Sequence, residues 1–158
     1  MHQITVVSLG AGPREQLTLG ALETLEKAKR LILRTGEIDA AACLRERGLQ
    51  FETLDELHEQ CEDFDDFIAA AVERVKRAAA RANAVYAVLD ATNDETVAAL
   101  LHAYPDHVRL GAGMPLYAPL LQAAGAQLPA RICSATSLTV PETQDGLLVT
   151  EMNTRQLA

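Results

Sequence analysis

The sequence is poor in the features that mark a secreted or membrane protein. It has three cysteines in 158 residues and no CxxC pair, which is too few and too scattered for a disulfide framework. It has no run of about 18 apolar residues, and residues 1–9 carry neither a basic region nor a long apolar stretch. We therefore expect a cytoplasmic protein without a signal peptide or a membrane segment.

Basic residues are few relative to acidic ones. The chain has 14 Lys and Arg against 22 Asp and Glu, a formal net charge of −8. Such a surplus repels phosphate backbones and anionic lipid surfaces, so we expect neither nucleic acid nor a membrane as a partner. The surplus is concentrated in residues 52–66, which have eight acids and no Lys or Arg. We predict a solvated helix face or loop there. A carboxylate metal site is the alternative, although the spacing of a calcium loop is absent.

The chain has enough apolar material for a hydrophobic core, with 49% of residues apolar and 23% charged. Up to about residue 128, short apolar runs alternate with amphipathic segments. This alternation predicts an α/β fold with a mostly parallel sheet and helices on both faces. The predicted strands are 4–9, 31–33, 51–54, 84–89 and 108–110, and the predicted helices are 19–28, 40–47, 65–81, 95–102 and 116–124.

The pattern changes after residue 128. Strand-like segments at 132–135, 138–140 and 146–150 follow one another without a clear amphipathic helix between them. We therefore predict a first domain over residues 1–128 and the β-rich start of a second domain over residues 129–158.

Three small or polar loops follow predicted strands, at residues 10–14, 90–94 and 111–114. In open α/β sheets, ligands bind beyond the carboxyl ends of the strands, where glycine turns let them approach the backbone. The three loops together predict a small-molecule site. The alternative is that these glycines serve packing alone.

Two common nucleotide motifs are excluded. Gly10-Ala11-Gly12 resembles the opening of GxGxxG, but the third glycine position is Glu15, and the strand at 31–33 is not followed by a ribose-binding acid. No GxxxxGK[ST] sequence is present. The sequence therefore predicts neither an NAD site nor a P-loop.

Other candidate residues lack partners in the sequence. His58 and Cys61 are three residues apart, a spacing that places two metal ligands on one helix face, but no further ligand follows nearby. We expect a surface pair and no metal. His102, His107 and Ser134 have no neighbouring motif of a general base or an activated nucleophile, so no catalytic residue is predicted.

Three segments resemble the tetrapyrrole (corrin/porphyrin) methylase family. Residues 4–28 align without gaps to the family's first strand, its G-L-G-P-G-D-P-E-L-L-T loop and the helix that follows. Residues 85–92 are similar to its strand and P-G-[HD]-P loop, and residues 108–117 to its strand, P-G-[VL]-S-F turn and helix. Residues 34–67 are most similar to the version fused ahead of MazG-type nucleotide pyrophosphohydrolases.

The resemblance implies the N-terminal α/β half of a class III S-adenosylmethionine-dependent methyltransferase. In that family the cofactor lies between two α/β domains and is held by backbone groups of these loops. The methyl acceptor that the resemblance implies is a tetrapyrrole or, for the MazG-fused version, an unidentified small molecule. The implied cofactor-binding residues, which would act mostly through backbone atoms, are Gly10, Gly12, Val88, Leu89, Asp90, Gly113 and Met114.

The loops also depart from the family pattern. Ser8 stands in place of the first glycine, Ala11 in place of a proline, Pro13 in place of an acid, and Asp90 in place of the glycine of the second loop. A second hypothesis is therefore a non-catalytic, methylase-like module for dimerisation or regulation, associated with a nucleotide pyrophosphohydrolase. In either case we expect a homodimer.

The end of the chain resembles the start of the family's second domain, after which the family continues. The resemblance covers residues 131–140 and 147–158. We expect this segment to pair with a sheet edge or with a second copy of the chain.

Overall fold

The computed structural model of the protein describes residues 1–125, 130–134 and 146–150. The chain divides into two compact units, Met1–Leu116 and Tyr117–Ala158. The boundary predicted near residue 128 falls within residues 126–129, which lie outside the described residues.

The first unit alternates strands and helices as predicted. A short 3-10 helix, Arg14–Gln16, follows β1, and a six-residue helix, Asp55–Gln60, follows β3; neither has a counterpart among the helices predicted from the sequence. Apart from these and the end of β5, the element ends lie within about two residues of the predicted ones. The strands are β1 (Ile4–Leu9), β2 (Arg30–Leu33), β3 (Glu52–Thr53), β4 (Ala84–Val88) and β5 (Val108–Met114), and the helices are α1 (Leu19–Glu26), α2 (Asp39–Glu46), α3 (Asp55–Gln60), α4 (Phe64–Ala79) and α5 (Glu95–Ala103).

The five strands form one all-parallel sheet in the order β3-β2-β4-β1-β5. One face packs on α1 and α2 through Ala21 and Leu44 among others, and the opposite face packs on α4 and α5 through Phe67 and Leu100. The predicted α/β class, with a parallel sheet and helices on both faces, is therefore confirmed.

The central strands β1 and β4 are buried along their whole length. Their side chains alternate between the two layers, so that Val6 contacts the α4 and α5 side while Val7 contacts the α1 and α2 side. A strand covered on both faces is apolar at most positions. This explains why β4 is a continuous apolar run in the sequence and why β1 is an apolar run interrupted only by Thr5 and Ser8.

Helix α4 follows from the clearest amphipathic segment of the chain. Phe67, Ala71, Val75 and Ala79 form its buried stripe, and Asp63 caps its N-terminus by accepting a 2.8 Å hydrogen bond from the Asp66 amide. Basic residues occupy its last turn, where they suit the helix dipole.

The prediction for the end of β5 was wrong. The sequence analysis ended this strand at Leu110 and placed a turn at residues 111–113, but the strand continues to Met114. The register shifts between the pairs Val6–Leu110 and Ser8–Gly113, so β5 carries one extra residue opposite β1. Glycines inside a strand allow such a bulge and a close approach of the neighbouring backbone.

The second unit contains α6 (Tyr117–Ala123), β6 (Ala130–Ser134) and β7 (Gly146–Thr150). The two strands pair in parallel. The predicted helix at 116–124 and strands at 132–135 and 146–150 are confirmed with small shifts at their ends. The predicted strand at 138–140 and the segment 151–158 lie outside the described residues.

In the part of the chain that the structure describes, no helix combines the length and the apolar character needed to cross a bilayer.

Candidate functional site

The three loops of the predicted site lie at one edge of the sheet. β4, β1 and β5 are neighbours, and their carboxyl ends are aligned by the pairs Ser8–Val88, Ser8–Gly113 and Leu9–Met114. The loop after β1 continues from this edge, with the Gly10 amide donating to the Leu89 carbonyl at 3.1 Å. The seven predicted residues therefore come from three neighbouring strand ends and the loops that follow them.

This edge contains a topological switch point, where the connections that follow two neighbouring strands leave toward opposite faces of the sheet. The chain leaves β1 toward α1 on one face of the sheet, and it leaves β4 toward α5 on the opposite face. In open parallel sheets, such a switch point between neighbouring strands opens a crevice that commonly binds a ligand. The topology therefore predicts a ligand crevice between the ends of β1 and β4.

Two hydrogen bonds bridge this crevice. The Ala91 amide donates to Ser8 Oγ at 2.9 Å, and the Gly10 amide donates to the Leu89 carbonyl. Ser8 is buried. Ser8 therefore ties the end of β4 to β1.

The space beside the glycines of the β1 loop is filled by other groups of the protein. Gln16 Oε1 accepts a 2.6 Å hydrogen bond from the Ala11 amide, and a Cβ placed on Gly10 would lie 2.8 Å from that same oxygen. Gly12 faces Ile38, and its carbonyl accepts a 2.8 Å hydrogen bond from the Ala40 amide. Both glycines have positive φ, which favours glycine over other residues.

Arg14 fastens the same loop to α2. Its guanidinium lies 3.0 Å from Asp39 Oδ1 and 2.9 Å from Glu46 Oε2. The hydrogen bonds from Arg14 hold the pKa of the Asp39 carboxyl below its usual range. The β1 loop is therefore held toward α2 by charged groups as well as by its backbone.

Asp90 turns its carboxylate into the protein. Oδ1 accepts hydrogen bonds from the Thr92 amide at 2.9 Å and from Thr92 Oγ1 at 2.6 Å, and Oδ2 accepts one from the Leu116 amide at 3.2 Å. The residue is only 4% exposed. Its side chain stabilises the turn after β4 and connects it to the segment after β5.

Gly113 is required by the bulge of β5. Its φ is +141°, and a Cβ placed on it would overlap the backbone of Ser8. The glycine of the third predicted loop therefore serves a close approach between two strands. Leu89 and Met114 are partly buried, while Val88 is fully covered.

A cavity of about 330 Å³ lies beside these loops, at the carboxyl ends of β2 and β4. It shares only Leu89 with the seven predicted residues. The full lining is Arg34, Thr35, Glu37, Asp55, His58, Glu59, Phe67 and Leu89.

A buried ion pair supports this cavity. Arg34 Nε lies 3.4 Å from Asp94 Oδ2, and Arg34 Nη1 donates to Thr96 Oγ1 at 3.1 Å. The guanidinium also lies 4.7 Å from the ring centroid of Phe67, a cation–π distance. Burial raises the pKa of the Asp94 carboxyl and of the Tyr86 phenol on the adjoining strand.

This pair was not predicted from the sequence. The predicted strand at 31–33 ends just before Arg34, and Asp94 falls in the predicted loop at residues 90–94. Asp94 does cap α5, by accepting from the Val97 amide at 2.9 Å. The available signal was that Arg34 directly follows β2 and that Asp94 ends the loop after β4, but it did not show that β2 and β4 are neighbours.

One carboxylate of the acidic stretch 52–66, that of Asp55, forms hydrogen bonds within the protein. Burial raises the pKa of this carboxyl, but hydrogen bonds from Thr35, Gly36 and Thr53 together outweigh that effect and lower it. His58 packs edge-on against Phe67 with ring centroids 5.4 Å apart. Among the described residues, no group of three potential metal ligands occurs.

The strand ends fit a main-chain-bound cofactor only in part. The three strands present their backbone at one crevice, as such binding requires. The amides of Gly10, Ala11, Ala91, Thr92 and Leu116, however, already donate to groups within the protein. A ligand that needs these donors would have to displace side chains.

Fold and edge together define an open, all-parallel α/β domain with a candidate ligand site at the carboxyl ends of β4, β1 and β5. No family model matches the chain. The chain is similar to the uncharacterized protein YabN of Bacillus subtilis, with 34% identity over 86 residues. This match covers 54% of the chain and only 18% of that protein, whose name states no activity.

Proposed function

We propose that the chain is an S-adenosylmethionine-dependent methyltransferase domain of the tetrapyrrole methylase kind. The cofactor would lie across the carboxyl ends of β4, β1 and β5, held mostly by the backbone of Gly10, Gly12, Val88, Leu89, Asp90, Gly113 and Met114. The observation that carries the proposal is that the three segments resembling the family lie on adjacent strands, β4, β1 and β5. They end beside the topological switch point between β1 and β4.

The chemistry asks little of the protein's side chains. S-adenosylmethionine supplies an already activated methyl group, so the domain needs to position the cofactor and the acceptor rather than provide a nucleophile. The acceptor suggested by the resemblance is a tetrapyrrole, or another small molecule. We place the protein in the cytoplasm, a location supported by its three cysteines and the absence of a CxxC pair.

Calorimetric titration with S-adenosylhomocysteine tests cofactor binding. We expect a dissociation constant of about 1 mM or lower for the wild-type chain. Gln16→Ala should strengthen binding at least about threefold, because it frees the Ala11 amide and the space beside Gly10. Gln60→Ala, at the exposed end of α3, is the matched control and should leave the affinity unchanged.

The titration has one contradicting outcome. Absence of heat at millimolar ligand for both the wild type and Gln16→Ala would exclude cofactor binding by this chain. Circular dichroism of both variants confirms that they are folded.

The second candidate is a non-catalytic, methylase-like module for dimerisation or regulation, associated with a nucleotide pyrophosphohydrolase. The observation that favours it is that Ser8, Gln16 and Asp90 accept hydrogen bonds from amides of the proposed cofactor loops. Light scattering at high protein concentration tests the dimerisation role, for which we expect the mass of a homodimer. A monodisperse monomer would contradict it.

A further inference from the structure

We propose that the sheet carries a second ligand site at its amino-terminal edge, where arginines bind a phosphate group or a diphosphate. A cavity of about 180 Å³ opens there, lined by Arg30, Glu52, Arg74, Arg77, Ala78 and Arg81. Arg30 is the first residue of β2. The cavity therefore lies at the edge of the sheet opposite to the strand ends of the proposed methylase site.

Two separate elements bring the arginines together. Arg74 and Arg77 lie three residues apart near the end of α4, and Arg81 follows in the turn two residues after the helix ends. Arg30 reaches the same cavity from the start of β2. Cations are common in the last turn of a helix because of its dipole, but that preference does not account for an arginine supplied by a strand.

The cavity carries a positive charge in an acidic chain. Glu52 is its one carboxylate, and it is paired with Arg74 at 3.3 Å. Among the residues that the structure describes, no ion pair is formed by Arg30, Arg77 or Arg81. The chain as a whole has a net charge of −8, so this concentration of arginine is a local exception that an anion would neutralise.

Arginine and the cavity size indicate the class of ligand. The planar guanidinium presents paired N–H donors that match the oxygens of phosphate. Pockets for whole small molecules are usually about 300–1,000 Å³, so a cavity of about 180 Å³ suits one or two phosphoryl groups alone. If the phosphate belongs to a nucleotide, its nucleoside would remain outside the cavity.

Calorimetric titration of the whole chain with inorganic diphosphate at low ionic strength tests the site. The test variant is Arg77→Ala/Arg81→Ala. The control is Arg47→Ala/Lys76→Ala, which removes the same charge from exposed ion pairs with Glu26 and Glu73. We expect the test variant to weaken binding about tenfold or more and the control to change it by less than about twofold.

Several outcomes would overturn the proposal. The first is the absence of heat when the wild type is titrated with diphosphate. The second is an equal loss of affinity in both double variants. The third is loss of self-association in the test variant without diphosphate present, which would assign the arginines to a protein contact. A parallel titration with ADP separates the sources of phosphate. Equal affinity for ADP and diphosphate supports an inorganic ligand, and a clear preference for ADP supports a nucleotide. Neither result depends on S-adenosylhomocysteine binding, because that site lies at the opposite edge.

Discussion

At the scale of single residues, the pair between Arg34 and Asp94 joins two charges that are largely withdrawn from solvent. Asp94 is 5% exposed, and Arg34 lies between this carboxylate, Thr96 and the ring of Phe67. Taking two charges out of water is costly, so a buried pair is weak evidence for net stability. Removal of the Asp94 carboxylate is different, because the partly buried guanidinium of Arg34 then loses the favourable interaction with this charge.

Asp94→Asn should lower the free energy of unfolding by about 2 kcal/mol. Asparagine keeps an oxygen for the Val97 amide and so preserves the cap of α5, but Arg34 loses the carboxylate. Urea denaturation followed by circular dichroism measures the change.

Asp63→Asn is the matched control for this substitution. Asp63 caps α4 in the same way, but it is exposed. Its replacement should cost less than about 0.5 kcal/mol. Equal losses in the two variants would mean that the Arg34–Asp94 pair does not contribute beyond the cap.

At the scale of elements, the bulge in β5 determines the shape of the candidate site. Gly113 lies against the backbone of Ser8, and the extra residue in β5 turns a predicted loop into the end of a strand. The same Ser8 binds the Ala91 amide. The ends of β5, β1 and β4 are therefore linked through one residue of the middle strand.

Gly113→Ala should destabilise the protein by about 3 kcal/mol, because a Cβ overlaps the Ser8 backbone and φ is positive. Gly48→Ala is the control. Gly48 also has a positive φ, of +79°, but a Cβ there meets nothing within 4 Å, so only the conformational cost of about 1 kcal/mol applies. Urea denaturation compares the two variants, and similar losses would contradict the close approach of β5 to β1.

At the scale of the whole molecule, stability is concentrated in the middle of the five-stranded sheet. β1 and β4 are buried throughout, whereas β3 has two residues and β5 is exposed along most of its length. The two helical layers pack on the central strands from both faces. Unfolding of the central strands requires loss of both helical layers, whereas the edge strands can unfold locally while the centre stays folded.

Hydrogen exchange should reveal this gradient. The amides of β1 and β4 are expected to exchange at least about 100-fold more slowly than those of α3, which has no buried residue. Mass spectrometry after deuterium labelling at neutral pH measures the rates by peptide. Uniform exchange across the first unit would show that the sheet opens as readily at its centre as at its edges.

Much of the fold could be predicted because its signals are local. The apolar runs of β1 and β4, the stripe of α4 and the caps at Thr18, Asp63 and Asp94 all depend on neighbouring residues in the chain. The failure at β5 has a physical reason. A glycine run after a strand is compatible with both a turn and a bulge, and only the distance to the neighbouring backbone distinguishes them.

The candidate site was predictable in place but not in detail. Strand ends could be identified from the sequence, and the parallel sheet brings the ends of β4, β1 and β5 together. The bond from the Ala91 amide to Ser8 could not be predicted, because it depends on β1 and β4 being neighbours. The bonds of Gln16 and Asp90 are local in the chain, but the sequence does not show which way these side chains turn.

The sequence by itself determined the α/β class, the order of the elements and the positions of the glycine loops, since these follow from periodicity and local backbone preference. Only the tertiary structure decided that Arg34 meets Asp94 and that Arg30 shares a cavity with Arg77 and Arg81. It likewise decided that the loops at the proposed cofactor edge are bound by the protein's own side chains. The reason is that the Arg34–Asp94 and Ser8–Ala91 contacts join residues far apart in the chain, which only the packing of neighbouring elements brings within reach. Gln16 and Asp90 bind amides five and two residues away, and there the structure decides which way each side chain turns.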